Sequence, residues 1–169
     1  MSIKARRFWP LLLLLVIADC TSKRLAETHL TPPHVPHEVL GEYFQFTLAH
    51  NPGAAFSISV GPYSRVIFST LAIVVLIVLW RLYRETAHHD RWQSVALALI
   101  AGGALGNLLD RLRSARGVVD FIDIGVGPYR LWTFNIADMG VTAGGVLLAV
   151  LLLRQQQDET MAAVRAPEA

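Results

Sequence analysis

Cysteine and charged side chains are both scarce in this chain of 169 residues. A single cysteine, Cys20, excludes an internal disulfide and a cysteine-rich metal site. Only 17% of the residues are charged and 53% are hydrophobic, which is too apolar for an ordinary soluble domain of this size. Lys and Arg are scattered at the ends of apolar runs and form no basic stripe, so nucleic acid is not expected as a partner. The composition indicates a small membrane protein.

Four apolar runs have the length of a membrane span. We expect a mainly α, polytopic membrane protein with one domain and spans over residues of about 8–26, 63–82, 92–112 and 135–154. A disordered cytoplasmic tail is expected over about 155–169. Both termini are placed in the cytoplasm, because the first span usually dominates orientation and residues 25–64 contain no Lys or Arg.

The start of the chain also fits a second interpretation. A basic beginning, a short apolar core from Leu11 to Ile17, and the tripeptide Ala18-Asp19-Cys20 imitate a cleavable signal segment that ends at a cysteine. Such a site requires a small neutral residue before the cysteine, and Asp19 is neither. We therefore favour a retained helix, in which Asp19 and Lys23 stand four residues apart and pair on one face.

Strand periodicity appears between the first two spans. Phe44, Phe46 and Leu48 alternate with polar or small residues, and the alternation resumes after the turn signal Asn51-Pro52-Gly53, with Phe56, Ile58 and Val60. We expect a small hairpin or sheet on the membrane surface over about 38–61. No regular element fixes the geometry of the histidines in this part of the chain, His34, His37 and His50, so neither a metal nor a cofactor is predicted.

Polar side chains gather at the end of the third span. Asn107, Asp110 and Arg111 fall at helical spacings of three and four, so they share one face. Taken alone, this pattern is best explained by an interhelical hydrogen-bond and ion-pair cluster that holds the bundle together.

Two further acids flank the short loop between the third and fourth spans. Asn135 is a good N-cap, which puts Asp138 in the third helical position, and Asp120 lies across the loop beside apolar residues. An acid near hydrocarbon is a functional candidate, and two acids that meet can share a proton. By chemistry alone, Asp123 is as good a partner for Asp138 as Asp120 is.

Five short blocks, read in order over nearly the whole chain, resemble the bacterial lipoprotein signal peptidases, the signal peptidase II family. The blocks are Asp19 to Lys23, Asn51 to Phe56, Gly102 to Arg111, Val118 to Phe121, and Phe134 to Asp138. Two residues depart from the family's pattern: Pro52 stands where a hydrogen-bonding residue is usual, and Met139 where a small or β-branched one is usual.

The resemblance implies an aspartic endopeptidase of the bacterial inner membrane. Such an enzyme removes the signal peptide of diacylglyceryl-modified prolipoproteins by cutting before the lipidated cysteine. Asp120 and Asp138 match the catalytic pair, and only the resemblance chooses Asp120 over Asp123. Five residues match positions that line or support the substrate groove, and three match positions that brace it: Asn51, Gly53, Asn107, Arg111 and Asn135, then Asp19, Lys23 and Asp110.

The same resemblance implies a small periplasmic β cradle over an active site that faces the periplasm. It also implies contact with membrane lipid and inhibition by the antibiotic globomycin, which would occupy the groove. We expect the protein to act as a monomer.

Two other classes of protein remain open from the residues alone. A small proton or cation transporter would use intramembrane acids as its path, although four spans without an inverted repeat fit this class poorly. The acids of such a path would be Asp19, Asp110, Asp120 and Asp138. A structural assembly factor would need none of them. Serine chemistry is not expected, because no Ser lies in a Gly-x-Ser-x-Gly motif.

Overall fold

The computed structural model describes residues 2–53 and 60–165, with side chains described as far as residue 162. The described chain is mainly helical with a small antiparallel sheet, as expected. The helices are α1 (Ile3–His29), α2 (Ser64–Glu85), α3 (Arg91–Arg113) and α4 (Ile136–Arg165), and a 3-10 turn over Gly61–Tyr63 leads into α2. The strands are β1 (Pro36–Leu40), β2 (Phe44–Asn51), β3 (Val118–Val126) and β4 (Tyr129–Arg130).

Within these described ranges, three helical segments are long and apolar enough to cross a membrane. They cover Gly61–Glu85, Arg91–Arg113 and Ile136–Ala162. Helix α1 has 27 residues, which is sufficient length, but acidic and basic side chains interrupt its apolar run. The fourth expected span therefore stays a prediction, and it depends on whether α1 directs those charges into the protein.

Helix α1 begins before the expected residue 8. The hydroxyl of Ser2 accepts a hydrogen bond from the backbone N–H of Ala5 at 3.3 Å, which caps the helix at Ile3, and Pro10 lies inside the helix. The helix runs unbroken through Cys20 to His29, so the segment that imitates a cleavage site is regular helix.

Lys4 joins the start of α1 to the end of α2. Its buried ammonium donates hydrogen bonds to the carbonyl oxygens of Tyr83 at 3.0 Å, Arg84 at 3.1 Å and Thr86 at 2.8 Å. These carbonyls lie at a helix C-terminus, where the chain has no intrahelical donors left and the helix dipole is negative. Lys4 therefore connects α1 to α2 inside the protein.

The expected disordered tail is wrong as far as Arg165. Helix α4 continues to that residue, beyond the expected end near 154. Gln155 donates a hydrogen bond to Glu159 at 3.1 Å, one turn further along. The segment consists mostly of good helix formers such as Gln, Glu, Met and Ala, which explains why the helix does not stop with the apolar run.

Helix α3 lies at the centre of the bundle and contacts each of the other three helices. Its buried residues Leu97, Ala98 and Ala101 pack against side chains of α1 and α2 in one hydrophobic cluster, whose other members are Phe8, Leu12, Leu79 and Tyr83. On other faces of α3, Gly103 abuts the backbone of Ala137 in α4, and Gly106 abuts the Asp19 side chain in α1. The central helix thus approaches its neighbours closely at the level where polar residues begin.

The sheet has the strand order β1-β2-β3-β4 and is antiparallel throughout. The β2 pattern is confirmed, but the expectation that strands occupy only about 38–61 is wrong, because β3 and β4 come from the loop between α3 and α4. Asp120 pairs in register with Ala49, so this acid lies on an inner strand and not at a helix end. The predicted continuation of the hairpin through Phe56 and Ile58 lies outside the described residues, and Val60 is not in a strand.

A second hydrophobic cluster attaches the sheet to the end of α1. It consists of Ala26, Leu48, Val119, Phe121 and Ile122. Val119 and Phe121 therefore hold the segment around Asp120 against the helical bundle, on the side of α1 where Asp19 and Lys23 are also found.

Substitution of Gly103 by alanine tests the close approach of α3 and α4. A Cβ at Gly103 would overlap the carbonyl oxygen of Ala137 and lie 2.8 Å from a methyl group of Val141. We expect Gly103→Ala to lower the free energy of unfolding by about 1–3 kcal/mol, as overpacking does, measured by thermal unfolding in detergent. Gly145→Ala is the matched control in α4, because a Cβ there meets nothing within 4 Å. Equal stability of the two variants would contradict this packing.

Candidate active site

The start of helix α4 is a reciprocal cap formed by Asn135 and Asp138. The Asn135 side-chain oxygen accepts from the backbone N–H of Asp138 at 2.9 Å, and Asp138 Oδ2 accepts from the backbone N–H of Asn135 at 3.2 Å. This is the geometry of a capping box, built with Asn and Asp in place of Ser and Glu. The N-cap predicted from the sequence is confirmed, and it fixes the Asp138 carboxylate at the positive end of the helix.

Asn135 also contacts Asp120 on strand β3. Its amide nitrogen donates to Asp120 Oδ1 at 2.7 Å and reaches the Val119 carbonyl oxygen at 3.3 Å. The Asn135 side chain is fully buried, and Asp120 is 4% exposed. One asparagine thus touches both acids, and it joins the sheet that carries one of them to the helix that carries the other.

Asn107 holds Asp138 from the side of α3. Its amide nitrogen donates to Asp138 Oδ1 at 2.8 Å, while its oxygen accepts from Lys23 Nζ at 2.8 Å and from the Asn135 amide at 3.1 Å. Asn107 therefore belongs to the same hydrogen-bond network as the two acids.

Lys23 lies buried between two carboxylates. Its ammonium is 2.7 Å from Asp19 Oδ2 and 2.8 Å from Asp110 Oδ2, and it donates a hydrogen bond to Asn107 Oδ1 at 2.8 Å. Asp19 also accepts from the backbone N–H of Ala137 at 2.9 Å. The predicted pairing of Asp19 with Lys23 is confirmed, and it connects α1 to α3 and to the first turn of α4.

Asp110 extends this cluster to strand β3. Its Oδ2 accepts from the backbone N–H of Val119 at 3.3 Å, so the same carboxylate binds Lys23 and the residue next to Asp120. The sequence-based interpretation of the third-span polar group as an interhelical cluster is correct for Asp110. Asn107 fits it as well, because its side chain is hydrogen-bonded to Lys23 in α1 and to Asp138 in α4.

Arg111 holds the turn after β2. Its Nη2 donates to the Gly53 carbonyl oxygen at 2.8 Å, and its Nη1 donates to the Asn107 carbonyl oxygen at 3.2 Å. The Asn51 side-chain oxygen accepts from the Gly53 N–H at 2.9 Å, and Asn51 also forms a hydrogen bond with Asp120. Arg111 thus positions the Asn51–Gly53 turn beside the acids.

A cavity of about 280 Å³ opens at this cluster. Both Asp120 and Asp138 line it, together with three predicted residues, Asn51, Asn107 and Arg111. A second cavity of about 520 Å³ shares Asn51, Asp120, Trp132 and Thr133 with the first and extends over the sheet. The two acids therefore line the same cavity.

The pKa of the Asp120 carboxyl is raised to about 7. Burial is the largest cause, because it disfavours the charged form, and the negative charge of Asp138 adds to it. Hydrogen bonds from Asn135 and Asn51 and the charge of Lys23 act in the opposite direction but are smaller. Near neutral pH, Asp120 is therefore a carboxyl that gains or loses a proton readily.

Asp123 is engaged elsewhere. Its Oδ1 accepts from Arg130 Nε at 2.7 Å, and its Oδ2 accepts from the Thr47 hydroxyl at 3.1 Å. It lines the larger cavity but not the one that contains Asp138. The geometry thus distinguishes two acids that the sequence alone left equivalent: Asp120, and not Asp123, lines the cavity that contains Asp138.

Five residues that line the smaller cavity were not predicted as site residues. They are Val118, Trp132, Thr133, Val141 and Thr142. The last of them follows Asp138 by four residues on a helix, a spacing that places both on one face and was visible in the sequence. Trp132 and Thr133 lie in the irregular segment before α4, where no sequence periodicity indicates which way a side chain faces. Among the described residues, no group of three or more His, Cys, Asp or Glu side chains is arranged to hold a metal ion.

A solved bacterial membrane enzyme has the same fold, with a TM-score of 0.80 and 30% sequence identity. The match covers 94% of this chain and 92% of the solved chain. This chain therefore shares its fold with a membrane enzyme of known structure.

Sequence comparison defines the family. The model of the family described as signal peptidase (SPase) II matches residues 11–154. The lipoprotein signal peptidase of Coxiella burnetii is 37% identical over 155 residues, which are 89% of this chain and 93% of that protein. That of Psychromonas ingrahamii is 45% identical over 108 residues, 63% of this chain and 62% of that protein. The chain belongs to the signal peptidase II family.

Replacement of Lys23 by methionine tests the charge cluster. The change would leave two carboxylates buried near each other without their shared cation, so we expect a loss of stability of about 3–5 kcal/mol. Thermal unfolding in detergent would measure it. Arg24→Met is the matched control, because the neighbouring Arg24 is exposed. If both variants unfolded at the temperature of the parent protein, the cluster would not have the structural role assigned to it.

Proposed function

We propose that this chain is an aspartic endopeptidase that removes signal peptides from diacylglyceryl-modified prolipoproteins. In this proposal, it cuts before the lipidated cysteine, with Asp120 and Asp138 as the catalytic pair. The main support is that both carboxylates line one cavity and both contact Asn135, in a chain of the signal peptidase II family.

Two carboxylates can hydrolyse an amide without a metal or a covalent intermediate. One must be ionised to take a proton from water, and the other must be protonated to donate to the carbonyl oxygen. Like charges in one buried site favour such a singly protonated pair. The raised pKa of Asp120 fits this requirement, because a proton can stay on the pair near neutral pH.

The substrate backbone would be oriented by groups around the cavity. Asn51 and Asn107 carry amides beside the acids, and Arg111 fixes the turn that ends in Gly53. Amide and guanidinium donors bind carbonyl oxygens and, near neutral pH, do not compete for the proton that the acids share. Asp19, Lys23 and Asp110 would support this surface from below and would not touch the substrate.

We propose four membrane spans, with α1 as the first. Its charged residues Asp19 and Lys23 are almost fully buried and paired, so they need not face lipid. The termini would lie in the cytoplasm and the sheet on the periplasmic side of the bacterial inner membrane. The acids would then be at the periplasmic boundary, where water reaches them and a lipidated substrate enters from the outer leaflet.

The expected partners follow from the same proposal. They are diacylglyceryl prolipoproteins and membrane lipid, with globomycin as an inhibitor in the groove and the protein acting as a monomer. The alternative of a proton or cation transporter is not favoured, because the family model that covers residues 11–154 is that of a peptidase.

Isosteric replacement of each acid tests the catalytic pair. We expect Asp120→Asn and Asp138→Asn each to lower the cleavage rate at least about a hundredfold, because an amide cannot exchange the proton. The rate would be measured with a purified diacylglyceryl precursor in lipid, alongside membrane insertion. Asp123→Asn should retain cleavage, since Asp123 is occupied by Arg130 and Thr47.

Asp90→Asn is the neutral control for the same change of side chain. Asp90 is the N-cap of α3, and Asn is an equally good cap. Near-normal turnover in Asp120→Asn or Asp138→Asn would refute the catalytic pair. Loss of turnover in Asp123→Asn with retention in Asp120→Asn would identify the other acid.

The substrate class is tested with one precursor in two forms. We expect the purified protein to cleave the diacylglyceryl precursor and to leave its unlipidated twin intact, with the product beginning at the lipidated cysteine. Mass spectrometry of the product would locate the cut, and globomycin should block it. Equal cleavage of both forms would show that the lipid is not recognised.

A further inference from the structure

The orientation of the Asn107 amide is forced by its neighbours. Its oxygen faces Lys23 Nζ at 2.8 Å, and an ammonium group has donors only. The amide nitrogen must therefore point the other way, towards Asp138 Oδ1 at 2.8 Å. Rotating the amide by half a turn would set two donors against each other at Lys23.

The orientation of the Asn135 amide is forced as well. Its oxygen faces the backbone N–H of Asp138, which only donates, and its nitrogen lies near the Val119 carbonyl oxygen, which only accepts. The nitrogen must therefore face Asp120 Oδ1 at 2.7 Å. Both asparagines thus present N–H groups to the acids, and neither offers an acceptor for a proton on the oxygen that it contacts.

The two acids differ in their hydrogen-bond donors, in their secondary structure and in their burial. Both oxygens of Asp138 face N–H donors, one from Asn107 and one from the Asn135 backbone, and the carboxylate sits in the first turn of α4. Each of these features stabilises a negative charge. Asp120 has donors from Asn135 and Asn51 but lies on a strand, without a helix terminus, and it is more deeply buried than Asp138.

We propose that Asp138 is the ionised member of the pair and Asp120 the protonated one before reaction, and that Lys23 and Asn107 are positioning residues that fix this difference. This assignment rests on the proposed peptidase function and adds the direction in which protons move. The raised pKa of Asp120, about 7, is consistent with it.

This assignment fixes the order in which protons are transferred in the reaction. Asp138 takes a proton from water while the water oxygen bonds to the scissile carbonyl carbon, and Asp120 gives its proton to the carbonyl oxygen. In the second step, Asp138 returns its proton to the amide nitrogen and the carbon–nitrogen bond breaks. Asp120 takes back a proton from one hydroxyl of the intermediate as the new carboxylic acid forms, and the pair is restored.

The charges around the pair are balanced by the other described groups. Lys23 and Arg111 are positive, and Asp19 and Asp110 are negative, so the four cancel. More distant titratable groups along the larger cavity are the Asp123–Arg130 ion pair, His34, and His50, which contacts Glu27. Glu27 in turn pairs with Arg116. The four nearer residues thus supply no net positive charge to the pair, and one shared proton lowers the charge of the pair from two negative to one.

Infrared spectroscopy tests the assignment without any substrate. At about pH 6 the parent protein should show the C=O stretch of a buried protonated carboxyl, and this band should fade as the pH rises through about 7. Asp120→Asn should remove the band. Asp138→Asn should keep it, with a midpoint at lower pH, because the neighbouring negative charge is gone. A band that survives in Asp120→Asn, or one that is missing from the parent protein, would overturn the assignment.

The pH profile of kcat/KM tests the positioning residues. Cleavage should fall at high pH as Asp120 loses its proton. Asn51→Ala removes a donor from Asp120 and should move this alkaline limb to higher pH. Asn107→Ala removes a donor from Asp138 and should leave the alkaline limb where it lies in the parent protein. The reversed assignment predicts that Asn107→Ala moves the alkaline limb and Asn51→Ala does not.

The two measurements also separate this inference from the proposed function. If the infrared result holds and no lipidated precursor is cleaved, the peptidase proposal fails while the charge assignment stands. If cleavage occurs and Asn107→Ala, but not Asn51→Ala, moves the alkaline limb of the pH profile, the assignment fails while the peptidase proposal stands. Should Asn107→Ala not fold, the infrared comparison of the two Asp→Asn variants still decides.

Discussion

The buried ammonium of Lys23 is the interaction on which the rest of the site depends. A lysine at this depth is tolerated because two carboxylates, Asp19 and Asp110, pair with its charge and Asn107 accepts a hydrogen bond from it. Each of those partners has a second contact, on Ala137, Val119 and Asp138 respectively. A single charge on α1 therefore sets the relative positions of α3, β3 and the first turn of α4, the elements that carry or adjoin both acids.

Asparagine, and not a charged residue, connects this cluster to the acids. An amide has a donor end and an acceptor end. When one neighbour donates to the amide oxygen, the amide N–H groups face the next neighbour, and no net charge is added. Asn107 accepts from Lys23 and donates to Asp138. Asn135 accepts from the α4 backbone and donates to Asp120. Two carboxylates with the same chemistry thereby acquire different surroundings, as a pair with unlike roles requires.

The sequence was most informative where a short-range rule applies. Apolar runs of spanning length predicted α2 and α3 closely, a four-residue spacing predicted the pair of Asp19 with Lys23, and capping chemistry predicted Asn135 and Asp138. The strand character of residues 118–126 was missed, although Val118, Val119 and Phe121 are good strand formers, because its pairing partner β2 lies some seventy residues away. The choice between Asp120 and Asp123 had the same limit: it depends on Arg130 and Thr47, and no local pattern reports that contact.

Two lysines fasten α1 at separate levels, Lys4 at the end of α2 and Lys23 beside α3. At 1.5 Å per residue they are about 28 Å apart along the helix, close to the thickness of a bilayer's hydrocarbon core. In the proposed four-span arrangement, such a helix cannot slide or tilt against its neighbours to suit a thicker or thinner membrane. Hydrophobic mismatch would be absorbed by the lipid, which would deform around a protein of constant height and keep the acids at the same depth.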